Sequence, residues 1–201
     1  MEFIDMADYY ITPNYISIPK IFRKDATGGY FETCISCECN LLEEEVDYLI
    51  EKALKPYDGL NSYSTVFEYA ICWPCSEKMR MTLSQESKTN IAKYFDQHLD
   101  LEERRKQFEE TPLDVERWLG TCAISQAPVS ELKEFQIYGH FQGKDMIFHH
   151  YPFTLSGQVM DELIHLISNK TLDDLQNFTD QLTSGPPEFA DLLKSGPRVF
   201  I

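Results

Sequence analysis

At 201 residues the chain suffices for one large domain or two small ones, and 43% apolar with 13% aromatic content supplies a packed core rather than a disordered chain. The formal net charge of −15, from 33 acidic against 18 basic residues, argues against a chain-wide nucleic-acid role, because phosphate needs Lys and Arg to neutralise it. No stretch approaches about 18 consecutive apolar residues, so no membrane span is expected. The opening Met1-Glu2-Phe3-Ile4-Asp5 lacks the basic start and apolar run of a secretory signal. The expectation is a cytoplasmic protein whose six cysteines serve as thiols or metal ligands rather than disulfides.

Residues 1–30 carry Phe3, Tyr9, Tyr10, Tyr15, Ile16, Ile18, Ile21 and Phe22, while Pro13 and Pro19 bar a long helix. Short extended pieces laid against a core are expected there. Asp25-Ala26-Thr27-Gly28-Gly29 is a turn signal that separates this arm from the next segment. Residues 30–33 are a short strand candidate that delivers Cys34. The chain then reads Cys34-Ile35-Ser36-Cys37 and, after a 34-residue insert, Cys72-Trp73-Pro74-Cys75. A two-residue gap lets a tight turn aim both sulfurs at one point. Two such turns facing each other make a four-thiolate cage, the geometry taken by structural Zn²⁺, although ligand type alone also admits iron. The predicted metal ligands are Cys34, Cys37, Cys72 and Cys75, with Cys39 able to replace Cys34 or Cys37. Four protein ligands leave no open position for water, so such a metal organises the fold and performs no hydrolysis.

Inside the insert, residues 48–53 and 65–71 each place apolar residues around a Glu, and 55–63 is dense in turn formers. Two antiparallel strands joined by a long hairpin loop are predicted; a helix over 43–54 is the competing reading. Pro74 suits the first turn of a helix continued by residues 76–81. Cys75 would then sit near the positive end of the helix dipole, which favours its thiolate.

This order, from knuckle through hairpin to a second C-x-x-C that opens a helix, resembles the treble-clef and zinc-ribbon group over about residues 34–95. The resemblance rests on Cys34, Cys37, Cys72 and Cys75 and implies a structural zinc module. Knuckles of that group usually carry Gly directly after the second Cys; here Glu38 and Ser76 stand there. Cys72-Trp73-Pro74-Cys75 is also similar to a thioredoxin-like redox motif, in which Cys72 would be the nucleophile and Cys75 the resolving thiol.

Beyond the module, Ser84 caps a helix whose face is Ile91, Phe95 and Leu99. The mixed charges of 100–110 predict a solvated helix or linker. That segment marks a boundary between residues 1–99, the arm plus four-cysteine module, and an α+β half, 111–201, packed on it; one continuous domain is the alternative. Thr111-Pro112-Leu113-Asp114 predicts a helix start with Thr111 as cap, and Val115, Trp118, Leu119 and Cys122 as its apolar face. Cys122 reads more simply as core than as a reactive thiol or ligand. Residues 135–141 alternate, turn and return through 146–148 as a hairpin. His140 and His149 come near each other across it, whereas adjacent His149 and His150 share a site only if the strand is distorted. Ser156 caps a helix facing inward through Val159, Met160, Leu163, Ile164 and Ile167, and further helices are predicted from Thr171 and over 188–194. There is no G-x-S-x-G, P-loop or G-x-G-x-x-G. The predicted fold is α+β: an N-terminal zinc-binding hairpin and helix module, then helices and a second hairpin. The predicted function is a metal-stabilised interaction or scaffold role with a protein partner, without nucleic acid or membrane; the alternative is a thiol–disulfide redox protein that uses Cys72 and Cys75.

Overall fold

The computed structural model describes residues 14–57, 62–111 and 113–168. Strand β1 (Asn14–Ser17) is followed by β2 (Asp47–Pro56) and β3 (Tyr63–Cys72), then by helices α1 (Trp73–Thr82), α2 (Gln85–His98), α3 (Leu101–Glu110) and α4 (Val115–Leu119). Strands β4 (Phe135–Gln142), β5 (Asp145–Phe148) and β6 (Phe153–Ser156) lead into α5 (Gly157–His165). The class is therefore mixed, helices with an antiparallel sheet. No helix among the described residues is long and apolar enough to cross a membrane.

The sheet runs β1-β5-β4-β2-β3, with β6 also paired to β4. Because β2 occupies one edge of β4 along its whole length, β5 and β6 share the other, on 140–142 and 135–138 respectively. They behave as one strand interrupted at 149–152, where the Tyr151–Pro152 bond is cis. The β2–β4 pairing also joins the first half of the sequence to the second in a single sheet.

Within 43–54, residues 43–46 form no strand, and why 47–54 becomes strand rather than helix follows from burial. Ile50, Glu51, Lys52, Ala53 and Leu54 are consecutively buried, the mark of a central strand covered on both faces. The two buried charges have partners across the strands. Lys52 Nζ lies 2.8 Å from Glu68 and donates to the Arg23 carbonyl at 2.8 Å, and the Tyr69 hydroxyl donates to Glu51. Register places Leu49, Glu51, Tyr69, Tyr138 and His140 on one face, and Tyr48, Ile50, Lys52, Ala70 and Phe141 on the other. On the second face Phe141 meets Phe22 edge-on at 5.2 Å and Tyr48 at 5.4 Å. Gly139 makes room for this group, since a Cβ there would sit 2.6 Å from the Phe141 ring.

Several expectations shift. Residues 30–33 are not a strand; a lone bridge between Thr33 and Asn40 holds that stretch. The helix predicted from Thr111 starts three residues later, because Asp114 caps it by accepting the Arg117 N–H. Thr111 instead ends α3, and Leu113 takes a left-handed φ of 67°. That helix is only 5 residues long, so Cys122 lies beyond it; it is nonetheless fully buried, as a core residue should be. The charged segment 100–110 is helical, and Ser84, Asp100 and Ser156 each cap a helix through the side chain. Strand β6 is an addition. The expected elements at 1–13, the hairpin tip 58–61, Pro112 and the helices from Thr171 and over 188–194 lie outside the described residues.

Candidate metal centre

The first C-x-x-C pair sits on a tight knuckle. Cys34 N–H donates to the Cys39 carbonyl at 3.0 Å, and Glu38 N–H donates back to the Cys34 carbonyl at 2.9 Å. The turn requires a left-handed residue after Cys37, and Glu38 supplies it at φ 61°. The missing glycine therefore does not prevent the knuckle; it costs on the order of 1 kcal/mol. Ile35 N–H docks the knuckle on β3 by donating to the Ala70 carbonyl at 2.9 Å.

The second pair is made by a strand-to-helix junction. Cys72 ends β3 and is the N-cap of α1 in extended conformation, with Pro74 in the first turn. Proline fits there because the first-turn N–H groups have no helical acceptor. The two turns touch directly: Cys72 N–H lies 3.3 Å from Cys34 Sγ, and Ser36 N–H lies 3.4 Å from the same sulfur. Cys37 Sγ is 3.7 Å from Cys72 Sγ, and the four sulfurs of Cys34, Cys37, Cys72 and Cys75 all lie within 4.8 Å of one another. A tetrahedral site with zinc–sulfur bonds of about 2.3 Å sets sulfur–sulfur separations of about 3.8 Å. The four predicted residues are thus brought together at close to the spacing a single ion imposes, and they are positioned to hold one.

Electrostatics point the same way. The Cys39 backbone N–H pulls the Cys37 thiol down to about 6, so this sulfur is largely ionised at neutral pH. Burial pushes the Cys72 and Cys75 thiols up. Full ionisation of sulfurs this close is unfavourable without a cation to offset their repulsion. Cys34 and Cys72 are buried, Cys75 is half-buried and Cys37 is exposed, which leaves the cage at the surface on one side.

Cys39 is not one of the four, though it adjoins them. Its backbone braces the knuckle, and burial raises its thiol to about 11. Cys122 lies elsewhere, its sulfur accepting N–H groups of Ser125 and Ser156. The thiol–disulfide alternative is not favoured. Its nucleophile would be Cys72, which is only 4% exposed and displaced away from ionisation, whereas reactive cysteines are accessible and depressed.

His140 and His149 do meet, Nδ1 to Nε2 at 2.8 Å, and His140 Nε2 lies 3.0 Å from Asp47 Oδ1. With the Asp47 carboxylate oxygen as acceptor, His140 donates from Nε2 and at Nδ1 accepts the hydrogen bond that His149 donates from Nε2. Burial holds both imidazoles below their ordinary value, consistent with this neutral chain. Asp47 was missed because it is remote in sequence and arrives through the β2–β4 register. The break at 149–152 supplies the distortion that lets His149 and His150 line one cavity.

No family model, curated protein or solved structure matches the chain.

Proposed function

We propose that Cys34, Cys37, Cys72 and Cys75 bind one structural Zn²⁺ in a treble-clef-like module, and that the protein is a metal-stabilised interaction or scaffold protein. The observation that carries this is the convergence of four sulfurs from two distant turns within 4.8 Å. Four thiolates complete a tetrahedral shell, so the ion holds structure and has no position for a reacting water. Zinc is preferred to iron because the role asked of the ion is structural and not redox. A reducing, cytoplasmic setting keeps such thiols available. The net charge of −15 suits a basic protein partner, whose capture should weaken as salt rises.

Elemental analysis of the full chain purified without added metal tests the reading. About one equivalent of zinc is expected, and Cys34→Ser and Cys72→Ser should lower it while Cys122→Ser leaves it unchanged. Metal far below one equivalent in the unaltered protein would refute the site; one equivalent of iron would refute zinc.

A further inference from the structure

The opposite side of α1 from its cysteines borders a cavity of about 270 Å³, near the lower end of the ~300–1,000 Å³ typical of small-molecule sites. Its walls are mainly apolar, with Phe95, Leu99, Phe153 and Leu155 among them. Phe95 of α2 and Leu99, which caps its C-terminus, line this space, and both remain only half-buried.

Arg104 adds a charge to this wall. It is partly buried and rigidly held: Nη2 donates to the His150 and Pro152 carbonyls at 3.1 and 2.8 Å, Nη1 donates to Gln107 at 3.2 Å, and the guanidinium lies 4.5 Å over the Trp118 ring. Every one of these partners is neutral. Arg80 and Arg105, also on the cavity wall, have Glu77 and Glu102 as ion-pair partners, but among the described residues no carboxylate lies within 4.0 Å of Arg104. Burial lowers its pKa to about 10. Its three bonds leave Nε–H and one Nη1–H without an acceptor among the described residues. A fixed, uncompensated guanidinium beside an apolar chamber is the complement of an anionic head on an apolar body.

We propose that this cavity binds a small carboxylate with an apolar body, of the size of a medium-chain fatty acid, with its carboxylate on Arg104 and its chain against Phe95, Leu99 and Phe153. One guanidinium matches one negative charge, which favours a monoanion over a phosphate ester. Sodium octanoate is the probe, titrated into the metal-loaded full chain and followed by tryptophan fluorescence, since Trp73 borders the cavity and Trp118 underlies Arg104. Octanol and octylammonium are the controls. Saturable octanoate binding is expected, at least tenfold tighter than either control. Arg104→Gln should weaken octanoate about tenfold with octanol unchanged, and Leu99→Trp should abolish both by filling the space. Intermolecular NOEs from octanoate to Phe95 and Leu99 in the unaltered protein provide a readout that does not depend on the variants folding. No saturable octanoate binding, equal binding of octanol, or absence of those NOEs would overturn the proposal.

Discussion

If the four thiolates hold an ion as proposed, removing it should loosen the segment that the two turns enclose. A metal held by both turns acts as a cross-link that encloses the 34 residues between Cys37 and Cys72. The loop-closure relation for such a link gives about 4 kcal/mol at 25 °C. For a chain of this size each kcal/mol moves the melting temperature by about 2–4 °C, so chelation should lower it by roughly 8–16 °C. This is a lower figure, because metal–thiolate binding itself contributes to folding. The assay is calorimetric melting with and without a chelator, with metal content measured on the same samples. Cys34→Ser should match the chelated protein closely, because serine keeps an acceptor for the Ser36 and Cys72 N–H groups but is a poor zinc ligand. A metal-free sample that melts within about 2 °C of the loaded one would refute the cross-link argument.

Glu38→Gly should leave stability unchanged or raise it by up to ~1 kcal/mol, because glycine accepts the φ of 61° without steric cost. Glu38→Val should lower it, and the reverse order in denaturant melts would show that the Glu38 side chain, not its backbone, holds the knuckle. Lys52→Met should cost about 3 kcal/mol by leaving the Glu68 carboxylate without its cation and with only the Asp25 N–H as donor, since the pair is 5% and 18% exposed. Adding Glu68→Gln should recover part of that loss, and a single-variant cost below ~1 kcal/mol would contradict it. His149 is held at about 3, against an ordinary 6.5, chiefly by burial. Between those values the unfolded chain binds the extra proton, so stability should be constant above about pH 6.5 and fall as pH drops toward 3. His149→Gln should flatten that slope in urea melts at pH 7, 5 and 4; an unchanged slope would remove His149 as its source.

The cysteine cluster was legible because its chemistry is local: each pair fixes its own turn, and only the meeting of the two turns needed the fold. The caps at Ser84 and Ser156 were legible for the same reason, since each hydroxyl serves an N–H three residues on. The segment 43–54 was ambiguous because Glu51 and Lys52 break strand alternation, and their partners Tyr69 and Glu68 come from the neighbouring strand. Strand β6 escaped because four residues that follow Pro152 and end on the helix cap itself carry too little pattern, and their strand character comes from pairing with β4. Asp47 and Arg104 escaped because their roles exist only through register and packing. Arg104 in particular stands in a charged run that reads as solvated, yet the chain turns it onto the carbonyls at 150 and 152.

Helix α1 belongs to two neighbourhoods at once. Its first turn carries Cys75, and Trp73, Ser76, Glu77 and Arg80 form part of the chamber wall. If the ion seats that turn, it also sets the shape into which an organic guest must fit. Thermodynamic reciprocity then binds the two events: whatever factor the cation adds to the guest's affinity, the guest returns to the cation. The two neighbourhoods meet inside its first turn, where Cys75 stands between Trp73 and Ser76 of the chamber wall.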